Sequence, residues 1–232
     1  MASQPIITDY KELSSRSLEI GISSHRDEVN QIIKELKDTI IENNLTHLTA
    51  SQIGYDKRIF CIDFNGEIHT FINSVIVKME EPTISREHCA SLKNDYLIPR
   101  HKEIVAMYQT PTGKTESNRF MEPASCIFEQ CQDLLDGVLL SDYGLEITPE
   151  FDNATAEEQE EVLKWYFESL NDTLDKLNAE IESDDMLRQT RDAIDFMGSV
   201  IKGETSLEPI EEKPVKLNRA TKRLIKKKLK HE

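Results

Sequence analysis

Cys89, Cys131 and His88 are the side chains in this sequence best able to hold a soft ion or attack as a nucleophile. Together they could improvise a metal site, because thiolate and imidazole both ligate transition metals. Their spacing argues against it. The four cysteines, Cys61, Cys89, Cys126 and Cys131, include no C-x-x-C pair, so a structural zinc site is not signalled. Cys89 taken alone reads as a relic ligand, a reactive thiol or a small residue packed beside a helix, and the packed reading is preferred. His88 reads as a loop residue. A different chemistry sits at the far end of the chain. Lys222, Arg223, Lys226, Lys227 and Lys228 are interleaved with Leu217, Leu224, Ile225 and Leu229, a pattern that suits contact with an anionic partner.

The elements expected to position these residues follow from periodicity. Residues 1–24 are polar and read as an extended lead-in. Val29, Ile32, Ile33, Leu36 and Ile40 recur at helical spacing, with Asp27 and Glu28 suited to the first turn and Asn43-Asn44 as the stop. Residues 58–64 read as a strand, and Asn65-Gly66 is a strong hairpin signal. Strands are expected at 67–73, 74–79, 104–109 and 119–121, with a turn at Pro111-Thr112-Gly113. Pro123 introduces a helix over Ala124–Leu135, closed by Asp136-Gly137. This order of helix, short antiparallel strands and helix is α+β.

A second block begins at 149. Thr155 and Glu158 form a capping box, followed by apolar residues Val162, Tyr166, Leu170, Leu174, Leu177 and Ile181 at helical spacing. A second helix from Ser183 to Gly203 would complete a hairpin over 149–203. Residues 204–232 are an acidic, proline-containing linker and then the basic tail. The domain is expected over 25–148.

The bulk numbers bound the function. With 38% apolar and 31% charged residues, the chain can hold one packed core. No apolar run approaches the roughly 20 residues that span a bilayer, and the N-terminus has no apolar signal-peptide core. A cytoplasmic location is expected, a host cytoplasm if the source is viral, and there a disulfide framework is not expected. Residues 213–232 hold nine Lys/Arg against one acid and so carry +8; the whole chain carries −15, which leaves −23 on the rest. A body that acidic repels a phosphate backbone, so nucleic acid is disfavoured as a partner and the tail is read as a protein-contact element.

Three stretches resemble the signatures of one enzyme family. Leu48-Thr-Ala-Ser-Gln52-Ile-Gly54 is similar to the G-x-G-L-A-A-x-Q-I-G motif of peptide deformylases, with Leu45 and His47 in the glycine places. Phe71-Ile-Asn73 resembles the F-I-N-P strand of that family. Glu87-His-Cys89-Ala-Ser91 stands where the family has E-G-C-L-S, and Arg100 lies at the distance of its following arginine. Glu129 to Leu139 lines up with Q-H-E-x-D-H-L-x-G-V-L. The resemblance covers about 100 residues and implies antiparallel sheets around a central helix.

It also implies a metal site that this chain lacks. The family holds one divalent ion with the cysteine matched by Cys89 and two histidines at i and i+4, which one helical face can aim at one ion. Those two positions are Gln130 and Leu134, and the general-base glutamate is Cys131. Without a metal, water keeps its bulk pKa of about 15.7 and no hydroxide forms at neutral pH. Gln52 matches the family's oxyanion donor but reads here as a structural amide, and Asp133 and Gly137 as helix-end residues. The expectation is a non-catalytic member that needs no cofactor and binds protein partners, as a scaffold or assembly factor, with tailed-phage baseplate or tail morphogenesis as the setting. The alternatives are an active deformylase using Glu129 or Asp133 as base, and a non-catalytic binder of peptide N-termini through Gln52 and the strand near Arg100. The oligomeric state is left open by the sequence.

Overall fold

Residues Ile59–Phe64 form a strand, β2, whose side chains alternate between two apolar clusters. Ile59 and Cys61 enter one, Phe60 and Ile62 the other. A strand buried on both faces needs cover on both, and two helices provide it. The computed structural model describes residues 3–180, with side chains described to residue 169. Residues 181–203, including the second helix expected from Ser183, the 204–216 linker and the basic tail with Lys222, Arg223, Lys226, Lys227 and Lys228 lie outside the described residues.

The chain divides into two units. The first comprises Met1–Glu81, His88–Lys93 and Arg100–Leu139. Its first cover is α2 (Arg26–Asn43), which lays Val29, Ile32, Ile33, Leu36 and Ile40 on Leu48, Ile59, Cys61 and Ile72. Asn44 ends α2 in the left-handed conformation, its N–H on the carbonyls of Ile40 and Ile41. The second cover is α3 (Ala124–Leu135). Its stripe Phe128, Cys131 and Leu135 packs with Phe60, Phe71 and Tyr108, and the Phe60 and Phe128 rings meet edge-to-face at 5.0 Å.

Six strands form one sheet: β1 (His47–Thr49), β2, β3 (Glu67–Glu87), β4 (Tyr96–Gln109) and β5 (Thr115–Met121) in that order, with β6 (Leu145–Glu146) also paired to β4. Asn65 and Gly66 turn β2 into β3 with φ of 57° and 94°, the two positive angles a type I′ turn requires. Two strands expected at 67–73 and 74–79 are one continuous β3, locally irregular where Asn73 takes φ of 51° and Glu81 φ of 52°. The strand expected at 104–109 starts earlier, at Tyr96. Pro99 and the polar run Arg100-His101-Lys102-Glu103 hid that extension, and burial of Arg100 and Glu103 explains how the run sits in a sheet.

The lead-in is a second correction. Residues 3–24 are not a free arm: α1 (Tyr10–Leu13) forms within them, and Leu13, Ser17, Ile20 and Ile22 are buried. Backbone bonds from Ile7 N–H to Gln52 O and from Ser17 N–H to Leu135 O tie the segment down. The expected start of the domain at 25 is therefore too late.

α3 closes with a Schellman motif: Val138 N–H donates to Asp133 O and Gly137 N–H to Leu134 O. Gly137 has φ of 71°, and a Cβ there would lie 2.4 Å from the Ser14 carbonyl oxygen. No other residue type fits.

The second unit comprises Pro82–Glu87, Asn94–Pro99 and Leu140–Glu232. In it Arg86 donates to both carboxylate oxygens of Asp152, at 2.9 and 3.1 Å, and to Asp95. Two helices, α4 (Pro149–Asn153) and α5 (Ala156–Glu180), follow. The Thr155–Glu158 capping box is present in both directions. The buried face of α5 is not quite the expected one: Tyr166 and Phe167 are buried, whereas Val162 and Trp165 are exposed. Among the described residues, no helix is long and apolar enough to cross a membrane.

Candidate functional site

All residues of the degenerate site lie in the first unit. A single 3-10 turn, Ala50–Ile53, follows β1 and carries Gln52. Its side chain reaches back to accept from Thr49 N–H at 3.0 Å and from Thr49 Oγ1 at 3.2 Å. Its amide nitrogen donates to Ser91 Oγ at 3.0 Å and lies 3.6 Å from Cys89 Sγ. Gln52 is 1% exposed, so this amide braces the turn against the Cys89–Ser91 segment. Its bonds run to one backbone group and to three side chains, in agreement with a structural amide.

α3 presents its remaining polar face to this region. Gln130, 2% exposed, donates from Nε2 to the His88 carbonyl at 3.0 Å. It also hydrogen-bonds the His47 imidazole. The ring does not stay charged. Burial dominates, the charges of Arg100 and a protonated His88 add to it, and together they lower the His47 pKa to about 4. Thr46 Oγ1 lies 3.0 Å from Nδ1. The residue as a whole is half-buried. A neutral imidazole at a lost glycine position thus meets an amide at a lost ligand position.

The other candidates are engaged elsewhere. Arg100 Nη1 donates to Asp133 Oδ2 at 2.8 Å, with side chains 1% and 3% exposed. Asp133 is therefore the counter-charge of a buried guanidinium and not merely a helix-end residue. Glu129 accepts from His101 N–H at 2.8 Å and contacts His101 Nδ1 at 2.9 Å. Cys131 lies with the aromatic cluster on the opposite stripe of α3. Leu134 is 2% exposed and has no donor atom to offer. His88 is an exposed loop residue, and Cys89 is buried beside Gln52. All four cysteines are buried thiols outside any disulfide.

The structure thus gathers Gln52, Cys89 and Gln130 with His47, Ser91 and Arg100, and sends Cys131 to the core. Among the described residues, no group of three or more His, Cys, Asp or Glu side chains is placed to hold a metal ion. Sequence reasoning saw His47 only as an absent glycine. The signal that identifies it is joint: an imidazole gained near the site where two imidazoles are lost.

A sequence profile described as Polypeptide deformylase matches residues 4–149. The chain belongs to this family. It is 32% identical over 124 residues to the peptide deformylase of Fusobacterium nucleatum, covering 52% of this chain and 71% of that protein. The Finegoldia magna peptide deformylase is 33% identical over 129 residues, covering 53% and 79%. The crystal structure of a peptide deformylase from Legionella pneumophila superposes with a TM-score of 0.58 at 19% identity, over 63% of this chain and 87% of that one, which shows the shared α+β fold. The match begins at residue 4, in agreement with the packed N-terminal segment. The residues do not fit this family's metal chemistry: at the i and i+4 positions of α3 stand an amide already bonded to His88 O and a hydrocarbon.

Proposed function

We propose that this deformylase-family chain has exchanged metal-dependent hydrolysis for a structural role, and that it works through contacts with protein partners. The observation that carries the reading is the Gln130 side chain bonded to His88 O on one side and to His47 on the other. A neutral amide is a poor ligand for a transition metal, and one already bonded within the protein has little to gain from turning toward an ion. With no ion there is no acidified water, and with Cys131 in the apolar cluster there is no carboxylate at the base position.

Glu129 and Asp133, the substitutes an active enzyme would need, hold His101 and Arg100. Taking Glu129 as a base would break its bonds to His101, and taking Asp133 would leave the buried Arg100 without its counter-charge. The N-terminus-binding alternative also loses support, since Gln52 and Arg100 are both committed to protein groups. The competing enzymatic reading draws on the relatives, which are named peptide deformylases. The proposal extends to the scaffold or assembly role, with phage tail or baseplate morphogenesis as its setting. Its support is the acidic body continued by α4 and α5, with Val162 and Trp165 exposed.

The test is turnover of a formyl-methionyl peptide by the full chain, assayed with added iron, nickel or zinc. The proposal expects a rate indistinguishable from the metal-only blank. Saturable deformylation above that blank would refute it.

A further inference from the structure

The sheet ends at β5 with an open edge. The bonds from Thr110 N–H to Lys114 O and from Glu122 N–H to Lys102 O bracket the β4–β5 ladder. Together with the register Met107↔Ser117 and Val105↔Arg119, they make the even-numbered residues of β5 the ones whose backbone faces β4. The N–H and C=O groups of Thr115, Ser117, Arg119 and Met121 therefore point away from the sheet. Among the described residues no strand pairs with that edge.

Such an edge is usually blunted by charged side chains, lysine above all, by proline or by a bulge. β5 has no lysine or proline, and its ladder with β4 runs in unbroken register. Its charges cancel within a strongly acidic chain, Glu116 against Arg119, and Arg119 is tied to Glu103 on β4. Ser117, Asn118 and Arg119 are exposed.

We infer that β5 is a dimerisation edge, which pairs antiparallel with β5 of a second copy of this chain about a two-fold axis at Asn118. Charge and length select that register. Pairing centred on Arg119 sets two guanidinium groups opposite each other, and pairing centred on Glu116 does the same with two carboxylates. Pairing centred on Ser117 takes Met121 beyond the partner strand. Centring on Asn118 sets Ser117 against Arg119 of the partner subunit, Thr115 against its Met121 and Glu116 against its Phe120. All four outward residues then find partners, giving about eight backbone hydrogen bonds at two per bonded pair. The two-fold makes the contact close on itself as a dimer, not a filament.

The inference is independent of the proposed function and is tested on the full chain. Sedimentation equilibrium of the native protein should show a concentration-dependent approach to twice the 26.7 kDa chain mass. Ser117→Pro removes an outward N–H and no bond to β4, so it should return the protein to monomer with its fold retained by circular dichroism. Asn118→Cys sits at the axis, at a position where side chains of opposed strands come closest, and should give a disulfide-linked dimer under mild oxidation while the native chain does not. A native protein that stays monomeric up to millimolar concentration overturns the inference. So does a dimer that survives Ser117→Pro, or an Asn118→Cys chain that forms no cross-link.

Discussion

Gln130 on α3 hydrogen-bonds the imidazole of His47 on β1 while its Nε2 donates to the His88 carbonyl at 3.0 Å. The two side chains stand at a ligand position and a glycine position of the peptide deformylase pattern. Each explains the other. A glycine there would leave Gln130 without this partner, and a charged imidazole would be costly in a site that already holds Arg100. The contact is a repacked site in which buried polar groups are satisfied without an ion.

That contact makes stability depend on pH in a set direction. The His47 pKa falls from 6.5 to about 4 in the folded chain. Between those values the unfolded chain binds the extra proton, so folding is favoured less as pH drops. The contribution is complete above pH 6.5 and is lost progressively toward pH 4, on the order of 3 kcal/mol. Urea unfolding of native protein and His47→Gln should therefore converge in stability, or cross, as pH is lowered through that window. Parallel curves would show that His47 titrates normally.

The Arg100–Asp133 pair should behave as a buried structural ion pair. Asp133→Asn leaves a guanidinium in the interior without its counter-charge and should cost about 3–5 kcal/mol. The double change Arg100→Met with Asp133→Leu should cost much less than the two single changes summed. Denaturant midpoints of the three variants measure this coupling. Additive losses would mean the pair is not coupled as the geometry requires.

Restoring the donors should restore the ion. His47→Gly with Gln130→His and Leu134→His puts two imidazoles one helical turn apart beside Cys89, and should raise bound nickel or zinc to one per chain. Adding Cys131→Glu supplies a carboxylate at the family's base position and is needed before turnover is expected. A three-fold variant that folds yet takes up no more metal than the native chain would show that these positions are not what excludes it.

The sequence disclosed the scaffold well where chemistry is local. Asn65-Gly66, the Asn43-Asn44 stop, the Ala124–Leu135 helix and the Thr155–Glu158 box each announce themselves within a few residues, because turn angles and cap bonds are short-range. The substitutions at 130, 131 and 134 were equally plain, since they are read against a motif. What stayed hidden depends on contacts distant in sequence. The polar lead-in is held by bonds to Gln52 and Leu135. The polar run Arg100 to Glu103 of β4 is made tenable by partners on other elements, Asp133 and Glu129 on α3 and Arg119 on β5. Asp133 looked like a helix end because its partner Arg100 lies 33 residues away. His47 was missed for the same reason: its role is defined by Gln130, on another element.

The most direct test of the central claim is equilibrium dialysis of the purified full chain against nickel or zinc at neutral pH, read by elemental analysis. Bound metal should remain far below one ion per chain, and Cys89→Ser should leave that value unchanged. One tightly held ion per chain, lost in Cys89→Ser, would contradict the account.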